Sequence, residues 1–196
     1  MTEASMVWDP TSCNSTAFSA RDNDEKWTDR HWMNVPGPFY TGVTDNCWTG
    51  RLHAPRHILY GGDFYNEFVY RQPRSREEVE SLIVAAEQDP CYGYACDGDS
   101  RWTPDAVRGW WRDRGLVREH LEALLTEWSA EAPGSQETEA AEGVRDFLGY
   151  LAGDLKADLR AYIYRLEQGR YPDADARLPR LRMWHWPKIA RRGLPH

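Results

Sequence analysis

The chain has 196 residues and a mass of 22.7 kDa, room for one domain with a real core and appendages but not for two large ones. Its 24 basic and 31 acidic residues leave a net charge of −7, which disfavours a general nucleic-acid coating role, because that role works by neutralising phosphates. No apolar run reaches the ~18 residues of a membrane span, and no basic stretch leads into an apolar block at the start, so we expect a soluble, acidic, cytoplasmic protein with no membrane partner.

Residues 1–30 are polar, with Trp8, Phe18 and Trp27 interspersed and no helical or strand period. They read as an arm, either pinned by those aromatics or loose. The α+β unit is expected over 31–132. It opens with Asn34-Val35-Pro36-Gly37-Pro38-Phe39-Tyr40-Thr41-Gly42, whose prolines fix φ and whose glycines supply turns, which predicts an ordered loop rather than a regular element. Two strand-like runs follow, His57 to Tyr60 and Phe64 to Arg71, joined by Gly61-Gly62-Asp63 as in a hairpin. In the second run Phe64, Asn66, Phe68 and Tyr70 alternate with Tyr65, Glu67, Val69 and Arg71, the period of a half-buried strand with one aromatic and one mixed face.

Pro73 stops the strand, and Ser75-Arg76-Glu77-Glu78 has the spacing of a capping box ahead of Val79, Leu82, Ile83 and Ala86 at helical intervals. Asp89-Pro90 closes that helix. Thr103-Pro104 starts another, which carries Val107, Trp110 and Trp111 and then, past Gly115, Leu116, Val117, Leu121, Leu124, Leu125 and Trp128; one kinked helix or two short ones both fit. Ala132-Pro133-Gly134-Ser135-Gln136 is a linker, either a hinge or a plain connection. Over 137–169 the apolar positions Val144, Phe147, Leu148, Leu151, Leu155, Leu159, Ile163 and Leu166 step by three and four, which predicts one long amphipathic helix ended by Gly169. Residues 170–196 form an irregular basic and aromatic tail with Trp184, His185 and Trp186. The predicted architecture is thus α+β, a small antiparallel hairpin unit packed against a predominantly helical C-terminal half.

Asn34 to Gly50, together with Tyr70-Arg71-Gln72-Pro73-Arg74, resembles a group of uncharacterised bacterial proteins, some of which carry the label ferredoxin. The resemblance spans about residues 34–112 and implies no residue roles. Cys91-x4-Cys96 is the spacing that opens a plant-type iron-sulfur site, but no cysteine follows Cys96 to complete it. Cys47, His53, His57, Cys91 and Cys96 have the donor types of a zinc site, yet Pro55 keeps the two histidines off one helical face and the thiol pair is not Cys-x2-Cys. A Cys91–Cys96 disulfide needs a tight turn over the four intervening residues. Asp97-Gly98-Asp99 reads as an Asx-type turn, since a calcium loop needs further oxygen ligands at set intervals. No nucleophile elbow, phosphate loop or dinucleotide fingerprint is present. No cofactor is expected.

Absent catalytic motifs, negative charge and many tryptophans together predict a protein that acts by binding another macromolecule, as an immunity-type or accessory protein, with another protein as the partner rather than nucleic acid. Trp184 and Trp186, with Arg191 and Arg192, are the expected partner contacts. The alternative is an enzyme, possibly metal-dependent, whose pocket lies between the hairpin unit and the helical half and uses Cys47, His53 and His57.

Overall fold

A computed structural model describes residues 16–18, 22–62 and 64–181. In chain order it contains α1 (Asn23–Thr28), β1 (Tyr40–Thr41), α2 (Thr49–His53), β2 (Ile58–Gly61), β3 (Asn66–Val69), α3 (Arg76–Gln88), β4 (Tyr94–Ala95), α4 (Gly98–Arg101), α5 (Pro104–Trp128), α6 (Gln136–Ala152) and α7 (Leu155–Gln168). At 54% helix and 7% strand the fold is α+β with helix dominant, and the strands form two small antiparallel pairs, β1–β4 and β2–β3.

The β2–β3 hairpin lies between two apolar clusters. Its register sets Ile58 against Val69 and Leu59 against Phe68, and pleating sends these two pairs to opposite faces. Leu59 and Phe68 join Val117, Leu121, Val144, Phe147, Leu159 and Ile163 of the helical half. Ile58 and Val69 join Val79, Leu82, Ala85 and Ala86 of α3, together with Phe18, Phe39 and Tyr94. The alternation predicted a half-buried strand; the structure buries both faces, because α3 covers the mixed one. Its first two residues also leave the ladder. Tyr65 has φ 51° and donates its amide to the Gly62 carbonyl (3.2 Å), a turn conformation that cannot continue a pleat, and Phe64 is 76% exposed.

Local chemistry explains the helix ends. The Ser75 hydroxyl accepts from the Glu78 amide (3.3 Å), while the Glu78 carboxylate reaches back one residue further than a standard box, to the Arg74 amide (2.6 Å). Thr103 caps α5, which runs unbroken through Gly115: a Cβ there would meet nothing, so this glycine costs only helix propensity. Ser135 caps α6.

Three expectations need correction. The pattern over 137–169 is two helices, broken at Gly153, whose ψ of −105° is far from helical; Leu151, Leu155 and Leu159 keep the same spacing across the break and so conceal it. The loop over 34–42 contains β1, which pairs with β4. The Asp97–Asp99 turn is the start of a single helical turn, α4, in which Asp97 makes no cap bond but accepts from the Tyr40 hydroxyl (2.7 Å) and from Arg101 Nε (2.9 Å). Of the two alternatives for 1–30, the described part takes the pinned one: Phe18 is buried, and the Trp27 ring packs edge-on against Tyr40 (5.2 Å) and Trp102 (5.2 Å).

Asn34 ties these parts together. Its amide Nδ2 donates to the carbonyls of His31 (2.9 Å) and Thr41 (2.8 Å), and its Oδ1 accepts from the amides of Val69 (2.9 Å) and Thr41 (3.2 Å). A buried carboxamide thus connects β1 to the end of β3 and leaves none of these backbone groups unpaired.

Candidate functional site

The site is built outward from a carboxylate inside the hairpin. Glu67 is fully buried; its Oε2 accepts from the Tyr94 hydroxyl (2.5 Å) and its Oε1 from the Arg51 amide (3.1 Å). Arg51 is the third residue of α2, whose own N-cap, Trp48, has no side chain able to accept an amide proton. The strand therefore supplies the cap that the short helix lacks. The neighbouring Gly50 is required by contact: a Cβ there would lie 2.0 Å from the Tyr94 hydroxyl and 2.3 Å from Glu67 Oε2. Burial pushes the Glu67 carboxyl up to about 7; the Tyr94 and Arg51 bonds offset part of that shift, and the nearby Asp45 and Asp89 carboxylates add to it.

Fixing α2 fixes Trp48, which holds φ 60°, a left-handed conformation costly for a side chain of this size. Its indole stacks flat on Tyr60, the cross-strand neighbour of Glu67, with centroids 4.3 Å apart and planes 2° from parallel. Beside the stack is an open hollow of about 240 Å³ lined by Trp48, Arg51, Leu52, Pro55, Tyr60, Gln136 and Glu139. The Arg51 guanidinium joins its walls by donating to the carbonyls of Pro55 (2.9 Å), Ile58 (3.1 Å) and Glu139 (3.2 Å). Trp48 Nε1 is shielded and has no hydrogen-bond partner, and Leu52 on the rim is 67% exposed. Tyr65, the second aromatic of this group in a left-handed conformation, lies 6.3 Å from Trp48, next in the chain to Phe64.

The opposite face of the hairpin holds His31. Its ring stacks on Phe68 (4.8 Å, 13°), Nδ1 accepts from the Met33 amide (3.3 Å), and Nε2, which carries the proton in this tautomer, donates to the Gly61 carbonyl (3.3 Å). Burial, with a smaller contribution from His120, holds its pKa down at about 4, so the ring is neutral. Trp32, 47% exposed, covers His120 edge-on at 5.6 Å.

The sequence-derived candidates are dispersed. Cys47 is exposed and lines neither this hollow nor a second one of about 170 Å³ that contains His53, His57, Glu77, Glu78 and Ser81. His53 ends α2, and His57 is buried with Nδ1 donating to the Arg71 carbonyl (3.0 Å) and Nε2 4.0 Å from Glu78 Oε1. Burial lowers the His57 pKa. Cys91 and Cys96 are half-buried and not joined to each other in a disulfide, and burial lifts the Cys96 thiol to about 11, far from a reactive thiolate. Among the described residues no three of His, Cys, Asp and Glu gather as a metal site would require. Trp184, Trp186, Arg191 and Arg192 lie outside the described residues.

Trp48, Tyr60, Leu52 and Glu67 escaped sequence reasoning. One signal was present: a glutamate inside the run Phe64 to Tyr70 has to be paired if that run is core. Nothing in the sequence marks Trp48 as left-handed. Compared with known protein families, curated proteins and solved structures, the chain finds no match.

Proposed function

We propose that the protein acts by binding another protein through the aromatic surface around the hairpin turn. The observation that carries this reading is the pair of aromatics, Trp48 and Tyr65, both held in left-handed backbone with rings 6.3 Å apart at an open hollow that Trp48 lines, with Leu52 of the same lining and Phe64 exposed. Strain of this kind persists only where surrounding structure enforces it, and tryptophan and tyrosine are among the side chains most enriched at binding hot spots. The ionisable groups of the hollow favour binding over turnover: Arg51 is committed to three carbonyls and the Tyr60 hydroxyl to the Gln136 carbonyl (3.3 Å), which leaves Glu139 without a catalytic companion in the lining.

Charge defines the partner further. The chain carries −7, and Glu119, Glu122 and Glu127 on α5 and Glu139 on α6 are exposed, so the matching surface offers apolar anchors with basic residues around them. The test is affinity capture with the wild-type chain and with Leu52→Asp and Phe64→Asp. The reading expects a stoichiometric protein that both substitutions release and that added salt weakens. Capture of no stoichiometric protein, or capture indifferent to both substitutions, would overturn it.

A further inference from the structure

The last described segment folds back over α7 and borders an open recess of about 500 Å³ that shares no lining residue with the hairpin hollow. Its walls are Arg160, Tyr164, Glu167 and Gln168 of α7 and the strap Arg177, Leu178, Pro179 and Arg180. The strap is fixed at several points. Arg160 donates to the carbonyls of Pro179 (2.7 Å) and Leu178 (2.9 Å), Arg108 donates to that of Arg180 (3.2 Å), and Leu181 is buried in the main core.

The charges in this recess are unbalanced. Among the described residues that line it, Glu167 is the only carboxylate, and it is already paired with Arg108 at 3.2 Å. Among the described residues, the ion pairs involve none of Arg160, Arg177 and Arg180, and the guanidinium groups of Arg177 and Arg180 make no hydrogen bond. In a chain with seven more acidic than basic residues, the exposed guanidinium groups of Arg177 and Arg180, set beside an Arg160 that holds the strap in place, make this recess a cationic exception suited to an anion. Arginine matches phosphate oxygens with paired N–H groups, Gln168 adds a neutral donor, and a strap already held in place loses little freedom when an anion arrives.

We infer that this recess binds a small ligand bearing two or more linked phosphate groups, an inorganic polyphosphate or a nucleotide. A nucleic acid is the poorer fit, because its long run of phosphates would also meet the acidic remainder of the chain. The inference is independent of the protein-binding reading, since the two sites have separate linings.

Isothermal titration of the full chain with pyrophosphate, ATP and a short single-stranded oligonucleotide tests it. Saturable one-to-one binding of pyrophosphate is expected, weakened at least tenfold in the double variant Arg177→Ala/Arg180→Ala and unchanged in Arg118→Ala, an exposed arginine on α5. Tighter binding of ATP than of pyrophosphate identifies a nucleotide site; equal binding identifies the phosphate chain alone as the ligand. Both replaced side chains are exposed, and matched thermal melts of wild type and double variant check that the fold is intact. No saturable binding of pyrophosphate, equal binding by the double variant, or an oligonucleotide that binds more tightly than ATP and survives the double substitution would overturn the inference.

Discussion

Each face of the β2–β3 hairpin buries a titratable side chain, Glu67 on one and His31 on the other, and the two are handled in opposite ways. Toward α2 and α3, Glu67 is packed among Tyr94, Gly50 and the first turn of α2, with burial lifting its pKa to about 7. Toward the helical half, His31 lies flat on Phe68 with its pKa held near 4. In both cases the low-dielectric interior favours the neutral form. The outcomes differ in use. The carboxyl organises an element, because without it α2 has no cap and Trp48 no fixed place, whereas the imidazole works as a flat ring that pairs two backbone groups.

The comparison breaks most severely at Phe68, which both faces depend on for the position of the strand. Phe68→Ala removes a fully buried ring between His31 and Phe147 and should lower unfolding stability by about 4 kcal/mol in urea titration. Gly50→Ala tests the other face alone. Its methyl would overlap the Tyr94 hydroxyl and Glu67 Oε2, so a loss of about 3 kcal/mol is expected, together with altered tryptophan fluorescence as Trp48 leaves Tyr60. A loss below about 0.5 kcal/mol would mean that α2 is not held by that carboxyl.

The two titrations sharpen the contrast because their signs differ. Glu67 binds its proton more tightly in the folded state: its contribution to stability is complete below pH 4.5 and is lost as pH rises toward 7. His31 binds its proton more weakly in the folded state, so its contribution is complete above pH 6.5 and is lost as pH falls toward 4. Between those limits the two slopes oppose each other. The stability of Glu67→Gln minus that of wild type should therefore climb by up to about 3 kcal/mol from pH 4.5 to 7, and the same difference for His31→Phe should fall by a similar amount from pH 4 to 6.5. Difference curves of the same sign would show that at least one group does not titrate as its surroundings require.

The contrast also separates what was legible in the sequence from what was not. Helix starts were legible at Ser75 and Thr103, where a hydroxyl and a following proline or glutamate act locally, and so was the pairing of the two runs around Gly61-Gly62. The break at Gly153 was not, since apolar spacing continues through it. The hollow was illegible for a different reason. It depends on Glu67 reaching a helix 16 positions earlier and on a tryptophan whose backbone angle is set by that contact, both consequences of tertiary packing. The histidines and cysteines stood out by chemical type, but type carries no information on convergence, and His57 spends its Nδ1 proton on a carbonyl of the adjacent strand end.

The smallest expected effect on stability is the sharpest test of the hairpin. Phe64 and Phe68 stand four residues apart, and strict alternation puts both on the aromatic face, which would make their truncations comparable. In the structure Tyr65 turns left-handed between them, so Phe68 enters the core while Phe64 is left 76% exposed at the turn. Phe64→Ala should accordingly change unfolding stability by no more than about 0.5 kcal/mol, since it removes few contacts and opens no cavity. If the surface around the turn is the binding face, the same substitution weakens partner capture at an unchanged melting temperature. A stability loss approaching that of Phe68→Ala would instead put Phe64 inside the fold, extend β3 through Tyr65, and withdraw the left-handed turn on which the aromatic surface depends.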